Sequence, residues 1–185
     1  MGTREKLLET ALAVFAEKGS DGGSMREIAR RAGVNVATTY HHFGSKRELF
    51  LAVFRELGFL DTPDIESPPG KNKQDTLEQI IFFAWIFLSS GSDVIRLGIV
   101  ESIKGDSEVL AVFDEWQRQG DGRIERELVR HGLATGKNSA RRALVVRHII
   151  WGNFIAALMS EGPLDVEAFR ARAHDAAVSL VESWR

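Results

Sequence analysis

Apolar positions in the N-terminal third of the chain recur at steps of three and four, the spacing of one face of an α-helix. Leu8, Ala11 and Phe15 mark a first amphipathic helix reaching to Gly19, with acids and bases interspersed between Thr3 and Lys18. Ile28, Ala29 and Ala32 mark a short second helix, and Leu49, Phe50, Val53 and Phe54 mark a fourth. Between them, Val36 to His42 predicts a third helix too short to be stable alone, so its neighbours must hold it.

The punctuation between these helices is local. Ser24 followed by Glu27, and Ser45 followed by Glu48, are Ser-x-x-Glu capping boxes. Gly33 suits a turn that needs positive φ just past a helix end. Val34 plugs the core below that turn, and Asn35 is a good N-cap for the short helix. Helix, glycine turn and outward-facing short helix together have the shape that enters a DNA major groove.

Beyond Phe54 the pattern loosens. Residues 58–73 carry Pro63, Pro68, Pro69 and Gly70 and predict a linker or mobile loop. Helical patterns then cover residues 74–90, 92–104, 106–133 (with a break admitted at Gly120-Asp121-Gly122), 138–160 and 165–184, with no strand alternation. The expected fold class is all-α. Residues 1–55 form a three-helix DNA-binding domain with a helix-turn-helix, and residues 56–185 form a helical ligand-binding and dimerisation domain.

Ile80 to Leu88 is apolar on every face, so this helix must be buried all round or line a cavity. Phe82, Phe83, Trp85, Phe87, Phe113, Trp116, Trp151 and Phe154 fit either a solid core or the wall of an apolar pocket. Such pockets carry a few polar groups to orient the guest, and Arg96, Glu101, His148 and Asn153 are candidates here. The residues expected to meet an effector are Phe83, Trp85, Phe87, Arg96, Glu101, Phe113, Trp116, His148, Trp151 and Phe154. The last helix places Val166, Phe169, Ala173, Ala176, Leu180 and Trp184 on a heptad-like seam. The helix before it has a stripe through Leu144, Ile150, Ala157 and Leu158. One seam could serve the intramolecular core, whereas two such helices, Ala-rich for close approach, predict a four-helix bundle across a two-fold axis.

The run Ala29-x-x-Ala32-Gly33-Val34-Asn35-x-x-Thr38-x-Tyr40-x-x-Phe43-x-x-Lys46-x-x-Leu49, with Leu8, Ala11, Phe15 and Gly19 upstream, resembles the N-terminal domain of the TetR family of transcriptional regulators. The resemblance covers roughly the first 55 residues, with Thr39 standing where a larger aliphatic is usual. It implies a homodimer through the last two helices, a double-stranded DNA operator and a small-molecule effector, here lipophilic or aromatic. The positions expected to meet DNA are Ser24, Arg26, Val36, Ala37, Thr38, Tyr40, His41 and Lys46. Arg26 is suited to a guanine edge or a phosphate, the alternative being a solvated arginine paired with nearby acids. Val36 and the Thr38 methyl suit thymine methyls, and small Ala37 permits close approach. By resemblance the Tyr40 hydroxyl donates to a phosphate. A lysine in the first turn of a helix opposes the macrodipole, so Lys46 is expected to answer an external anion.

Charge adjusts this picture slightly. Net charge is −2, but residues 1–50 hold 8 Lys/Arg against 6 Asp/Glu, which leaves the basic excess at the reader end. There are no cysteines, which excludes disulfides, thiolate zinc sites and a cysteine nucleophile. Gly132-Leu-Ala-Thr-Gly136-Lys137-Asn138 resembles a phosphate loop only superficially, since Asn138 replaces the required hydroxyl residue and no strand precedes it. Arg141-Arg142 is expected to be a solvated face. No catalytic constellation, metal site or cofactor is expected, and the absence of an apolar leader or long apolar span predicts a cytoplasmic protein away from membranes. The sequence leaves open a DNA-binding regulator with a solid core, or a lipophile carrier with a vestigial helix-turn-helix.

Overall fold

The computed structural model describes residues 2–58, 66–160 and 164–184. Among the described residues there are nine α-helices and no strand: α1 (Thr3–Gly22), α2 (Met25–Ala32), α3 (Val36–Phe43), α4 (Lys46–Leu57), α5 (Lys73–Ser90), α6 (Ser92–Ile103), α7 (Ser107–Arg130), α8 (Ser139–Leu158) and α9 (Val166–Ser183). They form two compact units. The first is Met1–Thr62 with Gly91–Trp116, and the second is Pro63–Ser90 with Gln117–Arg185. The first unit therefore takes in α6 and the start of α7 besides the four N-terminal helices.

In the first unit α1 is the central rod. Its buried Leu7, Leu8, Ala11, Val14 and Phe15 meet Ile28, Ala29 and Ala32 of α2 and Leu49, Phe50, Val53 and Phe54 of α4. Phe15 packs edge-on to Phe50 at 5.2 Å, and Phe50 edge-on to Phe54 at 5.0 Å. Each such fully buried side chain contributes about 1.5–3 kcal/mol, enough together to hold the eight-residue α3 that could not persist alone. Helix α6 packs on α1 and α4. It comes close because residue 98 is glycine: a Cβ there would lie 2.1 Å from the Phe113 ring and 3.1 Å from Phe54.

The caps form as the spacing predicts. Ser24 Oγ accepts from the Glu27 amide at 3.2 Å, Asn35 Oδ1 from Ala37 at 2.9 Å, and Ser45 Oγ from Glu48 at 3.1 Å. Gly33 takes φ 65, the left-handed conformation that closes α2. Both capping boxes are only half realised, since neither glutamate carboxylate returns to its N-cap amide. The Glu27 carboxylate turns to Lys18 at 2.7 Å and Arg31 at 2.7 Å, because two cations outcompete one backbone amide.

In the second unit α5 packs on α9 and α8. Leu77, Ile80, Ile81 and Trp85 are buried, and Trp85 stacks flat on Phe169 with centroids 4.3 Å apart. Two expectations change here. Helix α5 is not enclosed on all sides: Phe82, Phe83 and Phe87 are half-buried and Ile86 is exposed. The α9 seam also does not stand free, since Phe169 and Ala173 are buried in the unit that also contains α5. An apolar helix such as α5 needs a cover, and the nearest apolar stripe supplies it. On α8, Ile150 and Leu158 likewise point inward while Leu144 stays exposed.

The linker expected over residues 58–73 is anchored at one end. Ser67 donates to the Glu127 carboxylate from its amide at 2.8 Å and its hydroxyl at 2.5 Å, and its carbonyl accepts from Arg130 at 2.9 Å. Residues 59–65 of that stretch lie outside the described residues. Helix α7 runs unbroken through Gly120 and Gly122, a local cost of about 1 kcal/mol per glycine that the rest of the helix absorbs. Residues 132–138 form a turn, with Gly132 at φ 66 and the Thr135 amide donating to Asn138 Oδ1 at 2.8 Å. Arg142 is not solvated: it donates to the Leu133 and Trp184 carbonyls and lies over the Trp184 ring at 4.5 Å.

Candidate nucleic-acid interface

Helix α3 divides into two faces because side chains four apart stack one above the other. Thr39 and Phe43 are buried toward the core. Ala37 and His41 are exposed on the opposite face, Tyr40 is half exposed beside them, and Val36 and Thr38 are half-buried at the N-terminal turn. The outward face is thus small at its start and aromatic and polar at its end. Ser24 and Arg26 are exposed at the start of α2.

The cations around this face are unevenly occupied. Lys18 and Arg31 are held by Glu27 and Glu17. Arg26 and Arg30 are exposed, and among the described residues neither has an ion-pair partner. Arg30 was not singled out from the sequence, although its place one turn after Arg26 was the available signal. Lys46 has one internal acceptor. It is half-buried and donates to the Asp21 carbonyl at 3.2 Å, so an internal acceptor answers part of its charge in the first turn of α4.

Two polar ties hold the reader helices to α6 and the start of α7. Glu101 is buried, and its carboxylate accepts from the Ser20 hydroxyl at 2.9 Å and from Lys104 at 2.8 Å. Burial pushes its carboxyl up, but the bonds from Lys104 and Ser20 outweigh that and hold it below the usual carboxylate range. Arg47 on α4 reaches Asp106 and Glu108 together. Its bonds hold Asp106 at about 2, and the same bonds raise the guanidinium.

Residues 7–53 match the family model described as bacterial regulatory proteins, tetR family. The HTH-type transcriptional repressor AcnR of Corynebacterium efficiens is 28% identical over 136 residues, which cover 71% of this chain and 66% of AcnR. The HTH-type transcriptional repressor KstR2 of Mycobacterium tuberculosis is 47% identical over 58 residues, 31% of this chain and 28% of KstR2. Residues 7–53 are thus a tetR-family segment. A solved TetR/AcrR-family regulator from Aquifex aeolicus shares the fold over 97% of this chain and 99% of its own, with a TM-score of 0.73 at 19% identity. The matched stretches span two thirds or less of the two curated relatives.

The expected effector residues do not form one group. Arg96, Glu101, Phe113 and Trp116 lie in the first unit, and Phe83, Trp85, Phe87, His148, Trp151 and Phe154 in the second. In the first unit Phe113 packs on Trp116 at 4.7 Å, Arg96 is exposed, and Glu101 is committed to Ser20 and Lys104. In the second, Trp85 and Phe154 are fully buried, and Trp151 meets Phe154 edge-on at 6.0 Å. The Phe87 ring lies 5.6 Å from the Arg123 guanidinium. His148 is exposed, with its ring nitrogen 2.7 Å from the Leu144 carbonyl of its own helix. Among the described residues no single helix is long and apolar enough to cross a membrane, and no group of side chains suits a metal ion.

Proposed function

We propose that this chain is a homodimeric, sequence-specific DNA-binding transcriptional repressor acting in the cytoplasm, released from its operator by a small lipophilic or aromatic effector. The observation that carries the reading is the outward face of α3, where Ala37, Tyr40 and His41 are exposed beside two exposed arginines of α2. A short helix presenting a small residue at its start and hydrogen-bonding side chains at its end can lie in a major groove and read base edges. Val36, Ala37 and Thr38 would meet the bases. Ser24, Tyr40 and Lys46 would meet phosphates, and Arg26 and His41 either one.

The dimer reading rests on α8. Leu144, Val145, His148, Gly152, Ala156 and Met159 follow one helical face and all are exposed. A Cβ added at Gly152 would meet nothing within 4 Å, so a second helix can approach there closely. Two readers related by that axis would sit in successive major grooves about 34–36 Å apart on an approximately palindromic operator.

Ligand response rests on the half-buried aromatics Phe82, Phe83, Phe87 and Trp151 of the second unit. Effector binding there would weaken the hold of the two readers on the operator. A coupling of about 1–3 kcal/mol would change operator affinity 5- to 150-fold. Full burial of Trp85, Phe154 and Phe169 favours a second reading, a regulator with a filled interior whose occupancy follows its own abundance.

Selection of duplexes from a random-sequence library by the purified protein tests the DNA reading. Recovery of an inverted repeat supports it, and recovery of no enriched sequence refutes it. Thermal melting with a panel of hydrophobic compounds separates the two effector readings: a shift with any member supports release by ligand, and none across the panel favours the filled interior.

A further inference from the structure

The last carbonyls of a helix have no partner within it, and α3 is so short that its C-terminal end bears directly on the groove-facing side chains. The Tyr40 carbonyl accepts from the Gly44 amide at 2.7 Å, and the Phe43 carbonyl from Ser45 at 2.5 Å. The His42 carbonyl accepts from Arg4 Nη1 at 3.0 Å. That arginine sits in the first turn of α1, far away in sequence. Its guanidinium also lies over the Phe43 ring at 4.3 Å. The remaining edge of the same guanidinium grips Glu56 in the last turn of α4, Nε at 3.0 Å and Nη2 at 2.5 Å.

One planar fork therefore joins three helices. It places a cation at the C-terminal end of the α3 dipole, where positive charge is favoured. It clamps Phe43 from the solvent side and fixes the distance from α3 to the end of α4. A lysine at this position would keep the charge but lose the three-way geometry, because an ammonium is a point donor without a flat face.

We infer that Arg4 is a positioning residue for DNA recognition, setting the seat of α3 through His42, Phe43 and Glu56. It acts without touching DNA, and Glu56 is its partner in that role. This rests on the reading of α3 as a recognition helix.

The test uses a fluorescently labelled duplex recovered by selection, with affinity measured by anisotropy across a salt series for the wild-type chain, Arg4→Gln, Arg4→Lys and Glu56→Gln. A positioning role predicts that both Arg4 variants lose about tenfold in affinity while the slope of log affinity against log salt stays unchanged. It also predicts that Glu56→Gln weakens binding, although removal of an anion near DNA would by charge alone strengthen it. Both side chains are well exposed, so melting temperatures should stay close to wild type. Wild-type affinity in Arg4→Lys, a salt slope reduced by about one in Arg4→Gln, or tighter binding by Glu56→Gln would each overturn the inference. Failure of the wild-type chain to bind any selected duplex would instead overturn the recognition-helix reading, and the role of Arg4 with it.

Discussion

The Arg47 guanidinium and the Asp106 carboxylate meet through two hydrogen bonds, Nη1 to Oδ2 at 2.5 Å and Nη2 to Oδ1 at 2.8 Å. The same Asp106 Oδ1 accepts from the Glu108 and Val109 amides at 3.2 Å each, so one side chain both caps α7 and holds α4. Asp106→Asn keeps a good cap and loses the ion pair, whereas Asp106→Ala loses both. The asparagine variant is expected to lose about 1 kcal/mol, discounted because Arg47 is partly exposed to solvent, and the alanine variant about 1 kcal/mol more. Urea unfolding at neutral pH measures both. Because the Asp106 carboxyl is held at about 2, below its ordinary 3.8, its contribution is complete above the ordinary value. It fades as pH falls through about 2. The gap between wild type and Asp106→Asn should therefore close on acidification through that window.

Thr39 is buried and its hydroxyl has no hydrogen-bond partner. Thr39→Val replaces that hydroxyl with a methyl of the same shape and similar helix propensity. The variant is expected to gain about 1 kcal/mol of stability, read as a higher urea midpoint with unchanged slope. DNA affinity should not change, since residue 39 faces away from the groove side of α3.

His174 on α9 lies 2.8 Å from the Glu78 carboxylate, and that bond raises the imidazole above its ordinary value. A raised histidine adds stability fully below the ordinary histidine range and loses it as pH rises through the shifted value. His174→Ala should therefore lower the melting temperature at pH ~5.5 and leave it nearly unchanged at pH ~8.5. A deficit of equal size at both pH values would show that the ion pair contributes nothing.

Contacts to DNA separate by their salt dependence. Arg26→Ala is expected to weaken operator binding by about 1–3 kcal/mol if it reads a guanine, with relaxed preference at one base pair. Lys46→Ala and Arg30→Ala should weaken binding to all sequences alike and reduce the salt slope by about one each. Anisotropy titrations on selected and scrambled duplexes measure both effects.

The helices and turns of the reader were legible because their signals are local. Ser24, Gly33, Asn35 and Ser45 act within three or four residues of themselves, so the one-dimensional pattern contains the whole interaction. Glu27 shows where that stops: its box partner is close, yet Lys18 on the preceding helix captures it. Arg4 with Glu56, Arg47 with Asp106, and Ser20 with Glu101 are separated by 52, 59 and 81 residues, and no local pattern announces them. The aromatic residues posed the opposite difficulty. Trp85 and Phe113 carry the same apolar signal, but only the contacts of their helices assign them to different units. For α9, the heptad-like seam turns inward at Phe169 and Ala173, and periodicity reports that a face is buried and not what buries it.

On the proposed function, α3 paired across a two-fold axis reads two major grooves. Hydroxyl-radical footprinting of the protein on a selected duplex tests it most directly. The account predicts two symmetry-related protected patches with centres about 10–10.5 base pairs apart, both lost in Arg26→Ala,Tyr40→Phe. A footprint confined to one site without symmetry, or one unaffected by those substitutions, would contradict it.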